Sequence, residues 1–135
     1  MKNIFLGLFA AAILVSCGTI STTTSKVGKS QPSISNSKWT LADNVKGKTP
    51  TLNIEAGKVT GNAGCNNYFG TLSSETTSGS FVASQMGSTR MACDNMSVEK
   101  NFLEMMQKAN KYVVSGNTLE LYKDELLLLK FNKAE

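Results

Sequence analysis

The 135-residue chain contains no histidine. Histidine is the commonest general base near neutral pH and a frequent metal ligand, so its absence removes most familiar hydrolase and zinc-site interpretations. Arginine is nearly as scarce, since Arg90 is the single one. The formal charge of +4 comes from 14 basic and 10 acidic residues without an arginine cluster, which argues against nucleic-acid binding. The length allows one domain of ordinary size.

Long apolar runs are also missing, apart from one stretch at the N-terminus. Residues 4–15 are apolar except for Gly7, whereas a transmembrane helix needs about 20 such residues. Lys2 precedes the stretch and small residues follow it, which is typical of a secretory signal. We therefore predict that residues 1–16 are a signal peptide.

The end of this stretch, Leu14-Val15-Ser16-Cys17-Gly18, resembles the bacterial lipobox. The resemblance implies cleavage before Cys17 and lipid attachment to its sulfur and amine. Several acyl chains hold a domain to a membrane stably, which one chain does not. Gly18 rather than an acidic residue follows Cys17, which favours an outer-membrane location facing the periplasm. An ordinary signal peptide or a buried N-terminal helix, with Cys17 incidental, is the alternative.

Residues 17–36 follow as a Ser/Thr-rich segment. Nine of the eighteen residues from Gly18 to Ser35 are Ser or Thr, and none is aromatic. Such a composition buries too little apolar surface to offset the entropy of ordering. The segment is predicted to be a flexible tether that carries a domain formed by residues 37–135.

The domain is predicted to be mainly β, because short alternating segments are separated by turn signals. Hairpins are indicated where Ala56-Gly57 and Gly116-Asn117 separate such segments. Leu126–Leu129 is a continuous apolar run, as in a strand buried on both faces. Seven or eight strands suggest a small antiparallel curved sheet or barrel.

One segment has helical periodicity instead. Val98, Phe102, Met105, Met106 and Ala109 form an apolar stripe, and Ser97 is a candidate N-cap. We predict one α-helix over about residues 97–109, packed on the sheet, with the methionines filling the core.

Cys65 and Cys93 remain once Cys17 carries lipid. In an exported chain such a pair is most simply a disulfide, and free structural thiols or a catalytic thiol are the alternatives. No histidine is present to activate a thiol, and two cysteines alone cannot complete a zinc site. Acidic residues are scattered, so a calcium site is not indicated either.

The surroundings of these cysteines resemble the META domain, the HslJ-like family of envelope proteins and lipoproteins. The resemblance rests on Gly61–Gly70, Gly87–Cys93, the Phe102-Leu103 helix and Trp39-Thr40-Leu41, in this order. The matched motif positions, besides the two cysteines, are Gly64, Asn66, Tyr68, Phe69, Gly70, Thr89, Arg90 and Met91.

The resemblance implies a lipocalin-like barrel with one helix. It implies a loose link to stress response and drug tolerance, but no reaction, cofactor or metal. Candidate binding residues are Arg90, Trp39 and Tyr68. Arg90 is either a structural arginine paired with a carboxylate or loop carbonyls, or an anchor for an anionic group.

Three functions remain after these exclusions. The first is a noncatalytic, lipid-anchored interaction module of the cell envelope, with an unidentified protein or small ligand as partner. The second is a structural or stability factor for envelope components. A carboxylate-based enzyme is the third, although no acidic pair can be placed on one face.

Overall fold

The computed structural model describes residues 24–135, which form a closed eight-stranded antiparallel barrel with one helix. The predicted signal peptide and Cys17 lie outside the described residues. Each strand pairs with its neighbour in the chain, and β8 closes on β1. The strands are β1 Ser37–Leu41, β2 Thr51–Glu55, β3 Lys58–Asn62, β4 Asn67–Glu75, β5 Ser80–Ser88, β6 Lys111–Ser115, β7 Thr118–Lys123 and β8 Leu126–Lys133. The predicted fold class is confirmed.

Strand alternation places one side chain in two inside the barrel. Leu52 and Ile54 of β2 point inward, and Asn53 between them is more exposed. The inward side chains fill the barrel, with Tyr68, Phe81, Tyr112 and Phe131 at most 2% exposed. The interior is therefore a packed core rather than a ligand cavity.

The helix α1, Met96–Lys108, connects β5 to β6 and packs against β5 and β8. Phe102 enters the core between Tyr68 and Phe131, with ring centroids 5.5 and 6.2 Å away. Met106 is fully buried, as the apolar stripe predicts. The helix begins one residue earlier than predicted, and its N-cap is Asn95 rather than Ser97.

The barrel is least complete between β5 and β6, which share a single residue pair, Ser80 with Lys111. A segment that the composition predicts as tether lies beside this seam. Gln31 donates its N–H to the Thr76 carbonyl oxygen (2.7 Å) and accepts the Val114 N–H on its side-chain oxygen (3.0 Å). We call residues 26–36 the strap.

The strap corrects the predicted boundary at residue 37. Ile34 is buried in the core, and the Tyr112 hydroxyl donates to the Pro32 carbonyl oxygen. A few long-range contacts thus order a segment that is polar on average. The packed domain includes residues 31–36, and the remaining expected tether is correspondingly shorter.

The apolar run at the start of β8 is a second correction. Leu126 is 66% exposed and Leu127 is also exposed, whereas Leu129 is buried. The register shifts between Leu121 and Tyr122 of the partner strand, close to the hairpin tip. The run is therefore not buried on both faces, because its first half lies at the tip beyond the core.

Candidate functional site

The three candidate binding residues do not converge. Trp39 and Tyr68 are buried, Trp39 donating to the Ser37 hydroxyl and Tyr68 donating to the Thr51 carbonyl oxygen. Burial also raises the pKa of Tyr68 above its usual value. Arg90 is exposed in the loop between β5 and α1. The polar atoms of Trp39 and Tyr68 therefore bond within the barrel itself, and the structure does not bring either residue into a common site with Arg90.

The two motif segments meet at one end of the barrel. Cys65, in the β3–β4 loop, forms a disulfide with Cys93, in the β5–α1 loop, and their Cα atoms are 6.1 Å apart. Gly64 precedes the disulfide with φ of +109°, and a Cβ there would lie 3.0 Å from Val98 Cγ1. The loop therefore approaches the helix more closely than a side chain at position 64 would permit.

Asn66 connects these two loops to the helix. Its backbone N–H and its side-chain amide donate to Glu99 Oε2 at 2.8 and 3.0 Å. Its side-chain oxygen accepts the Met91 N–H (2.7 Å) and the Thr89 hydroxyl (3.0 Å). The amide also donates to the Met91 carbonyl oxygen (3.0 Å). Each polar atom of the buried Asn66 side chain is thus bonded within the protein, so a ligand would have to compete with these bonds.

Glu99 is the site residue that the sequence interpretation missed. Its carboxylate is on the first turn of α1, and the residue is only 6% exposed. The sequence does contain a signal for this burial. Glu99 lies three and seven positions before Phe102 and Met106, which places it on the face that the helix buries. An acidic residue on an apolar stripe predicts a buried hydrogen-bond acceptor.

The motif Tyr68-Phe69-Gly70 maintains barrel packing. Phe69 points outward and lies across Gly87 of β5, where a Cβ would be 2.6 Å from the ring. At Gly70 a Cβ would lie 2.4 Å from Met86 Sδ and 3.0 Å from the Ser84 carbonyl oxygen. Gly70 and Gly87 therefore leave space for neighbouring groups that a side chain would occupy, which explains why the sequence motifs contain glycine at these positions.

Above the Asn66 network is an open surface hollow of about 410 Å³. Met91 is 61% exposed beside it, and Met96 is exposed as well. Within residues 24–135, Arg90 forms no ion pair. In the part of the chain that the structure describes, neither a carboxylate nor a loop carbonyl binds the Arg90 guanidinium, so the expected structural pairing of this arginine is not seen. The guanidinium lines the hollow together with the two exposed methionines. The lining residues are Asn66, Ser88, Thr89, Arg90, Met91, Ala92, Met96 and Glu99.

The hollow combines one cation with flexible apolar side chains over a rigid base. The guanidinium is suited to a bidentate carboxylate, and methionines adapt to varied apolar groups. The one carboxylate that lines it, Glu99, is occupied by Asn66. The arrangement is suited to recognition of an acidic and apolar partner segment rather than to proton transfer.

Within residues 24–135, no helix is both long and apolar enough to span a membrane.

Solved structures share this architecture. A protein from Burkholderia xenovorans, determined by NMR, is 21% identical with a TM-score of 0.62, over 74% of this chain and 83% of that one. A second NMR structure is 18% identical with a TM-score of 0.57, over 72% of this chain and 88% of that one. At these identities the likeness establishes the fold alone.

No curated protein matches the chain. The family model for the META domain matches residues 32–135, and its start agrees with the packed strap rather than with the boundary predicted at residue 37. The match covers the barrel, the disulfide, the Asn66 network and the helix. The chain belongs to the META domain family.

Proposed function

We propose that this chain is a noncatalytic, lipid-anchored protein of the bacterial cell envelope, and that its META domain binds a protein partner through the hollow around Arg90. The anchor is Cys17, and the outer membrane facing the periplasm is the proposed location. The hollow would receive a partner segment that offers a carboxylate to Arg90 and apolar side chains to Met91 and Met96.

The observation that carries the proposal is the contrast between the barrel interior and this end. The interior is filled by side chains that are almost completely buried. A small amphiphile has no room there, so recognition falls to the surface. At the hollow, an unpaired cation and two exposed methionines lie over loops held by the disulfide and by Asn66. A rigid base with an adaptable rim favours binding because little conformational entropy is lost in the base.

The binding surface is tested by replacing Met91 with a photo-crosslinking amino acid in growing cells. We expect an adduct of one defined mass that disappears when Arg90→Glu is added, because the reversed charge repels the partner carboxylate. The matched control carries the crosslinker at Val82, which is apolar and exposed on β5 but does not line the hollow. Equal adducts at both positions, or an adduct unchanged by Arg90→Glu, would contradict a specific surface at the hollow.

The anchor is tested separately by fractionation of cells that carry Cys17→Ser. We expect the native chain in the membrane pellet and the variant in the soluble fraction, since the acyl chains supply the membrane affinity. A variant that stays in the pellet after a high-salt wash would contradict lipid anchoring. Loss of crosslinking in the released variant would show that the partner is met only at the membrane.

A further inference from the structure

The strap attaches the N-terminal part of the domain to one particular end of the barrel. Lys26 donates to the Ser115 hydroxyl oxygen (3.3 Å), and Gln31 binds the carbonyl oxygen of Thr76. These contacts place the strap at the end that contains the β2–β3, β4–β5 and β6–β7 turns. We call it the strap end. The disulfide, the Arg90 hollow and the β7–β8 turn are at the opposite end, because consecutive antiparallel strands alternate direction.

The excess positive charge of the domain is concentrated at the strap end. Six lysines belong to it and only three acidic side chains. Lys111 donates to the Ser78 carbonyl oxygen, and Lys133 donates its backbone N–H to Asn117. The lysines are Lys26, Lys29, Lys38, Lys58, Lys111 and Lys133, and the acidic residues are Glu55, Glu75 and Glu135.

The opposite end, together with the helix, is balanced. Six basic side chains there face six acidic ones, and Lys130 pairs with Glu120 on the barrel wall. The basic residues are Lys46, Lys48, Arg90, Lys100, Lys108 and Lys123, and the acidic residues are Asp43, Asp94, Glu99, Glu104, Asp124 and Glu125. Among residues 24–135, the excess of positive charge therefore lies at the strap end, where the N-terminal chain leaves the barrel.

The length of the chain beyond the described residues limits how far this end can move from an anchor. Cys17 precedes Thr24 by seven residues. Seven residues span at most about 25 Å even when fully extended. A lipid on Cys17 would therefore keep the strap end close to the bilayer surface, whereas the opposite end lies a barrel length farther away.

We propose that the strap end rests on anionic phospholipid headgroups of the membrane that holds Cys17. The inference rests on the proposed lipid anchor and adds the orientation of the domain. Lysines are attracted to an anionic surface within about a Debye length, roughly 8 Å at physiological salt. The short connection brings the lysines into that range, and the resulting orientation turns the Arg90 hollow away from the membrane, toward partners.

The orientation is tested with the mature lipidated protein in nanodiscs that contain ~30% phosphatidylglycerol in phosphatidylcholine, a composition that supplies the anionic surface. A trace of lipid with a gadolinium chelate at its headgroup broadens nearby amide signals. We expect the signals of Gly79 and Gly116 to lose at least about threefold more intensity than those of Arg90 and Asp124. In pure phosphatidylcholine, or at high salt, this contrast should fall to the smaller value that the short connection to the lipid imposes by itself.

Two variants of equal charge separate the lysines from the connection itself. Replacing Lys26, Lys29, Lys111 and Lys133 by Gln should lower the contrast in the anionic nanodisc to the value found in phosphatidylcholine. Replacing Lys46, Lys48, Lys100 and Lys123 by Gln should leave it unchanged. Thermal unfolding of both variants confirms that they are folded.

The proposal is overturned if both ends are broadened equally, or if the contrast is just as large in phosphatidylcholine and in the strap-end variant as in the anionic nanodisc with the native protein. In those cases the surface charge does not orient the domain. Such a result leaves the lipid anchor standing, since the protein would still be held in the nanodisc. A chain that carries no lipid, and so never enters the nanodisc fraction, would instead contradict the proposed function.

Discussion

At the residue scale, the feature that best explains the family pattern is the carboxylate of Glu99 beneath the two motif loops. A buried carboxylate is costly unless it accepts hydrogen bonds, and Asn66 provides both a backbone and a side-chain donor. Asn66 in turn fixes Thr89 and Met91. The motif residues Asn66, Thr89 and Met91 are therefore parts of one network, which fixes the base of the hollow.

We predict that Glu99→Gln lowers the free energy of unfolding by about 1.5–3 kcal/mol, the usual contribution of a hydrogen bond to a charged group. The neutral amide offers a single acceptor oxygen and places a donor against the donors of Asn66. Glu104→Gln on the same helix is the control, because its ion pair with Lys108 is exposed and such pairs contribute less than about 1 kcal/mol. Urea unfolding of the two variants checks the difference. Equal losses would contradict the role assigned to Glu99.

Tyr68 makes stability depend on alkaline pH. Burial raises its pKa in the folded protein, so above about pH 10 the unfolded chain loses this proton while the folded protein keeps it. Stability contributed by Tyr68 is present below pH 10 and falls as the pH rises, by up to about 1.4 kcal/mol per pH unit. Tyr68→Phe should flatten the decline measured by denaturant unfolding between pH 10 and 11.5. If the free energy of unfolding declined with pH equally in the two proteins, Tyr68 would not be the cause of the decline.

At the element scale, the strap is a part of the barrel that a polar composition conceals. The Val114 N–H lies on β6 next to the poorly paired seam with β5, and the Gln31 side chain accepts it. The strap therefore supplies a hydrogen bond to β6 where the pairing with β5 is nearly absent. It also fixes which end of the barrel the N-terminal chain leaves.

We predict that Gln31→Ala removes protection of the Val114 amide from hydrogen exchange and destabilises the domain by about 1 kcal/mol, the net contribution of a hydrogen bond, because the half-buried Val114 N–H loses its acceptor. Gln107→Ala, on the exposed face of α1, is the matched control and should change stability by less than about 0.5 kcal/mol. An unchanged exchange rate at Val114 in the Gln31 variant would show that the Gln31 side chain does not protect this amide.

The disulfide constrains two loops rather than two strands. It closes a loop with a sequence separation of 28 residues, for which the chain-entropy model gives roughly 3–4 kcal/mol. We predict a loss of that size for the double variant Cys65→Ser, Cys93→Ser in urea unfolding at neutral pH. The reduced native protein should behave like the variant. A loss below about 1 kcal/mol would mean that Asn66 and Glu99 hold the loops without the bond.

The sequence predicts the elements whose signals are local. Alternation at Leu52 and Ile54 locates β2, and the stripe through Phe102 and Met106 locates the helix to within a residue at each end. In the β4–β5 hairpin, Ser73 and Ser74 pair with Val82 and Phe81 although the composition around these serines is typical of a loop. Propensity is a weak guide where cross-strand pairing determines the structure.

The domain boundary and the candidate site depend instead on contacts between residues that are far apart in the sequence. Pro32 and Gln31 are bonded to β6, about eighty positions away, so a tether-like composition misplaced the domain boundary. The same limit applies to the site. The motif located the loops that form the site, but only the packing shows that Trp39 and Tyr68 are buried and that Arg90 has no ion-pair partner among residues 24–135.

At the scale of the whole molecule, the barrel has two different ends joined by a solid core. One end receives the strap and carries the excess of lysines, and the other carries the disulfide and the hollow. Because side chains fill the core, no ligand can pass through the barrel from one end to the other. We therefore interpret the barrel as a rigid spacer between the two ends. In the orientation that we propose, this spacer would hold the hollow at a fixed distance from the membrane.

We propose above all that the mature protein is a lipid-anchored domain, and the decisive measurement is intact-mass spectrometry of the chain purified from membranes. We expect a chain that begins at Cys17, carries the mass of attached acyl chains, and is two hydrogens lighter than its reduced form because of the Cys65–Cys93 bond. A chain that begins elsewhere, or a Cys17 without lipid, would rule out this anchor.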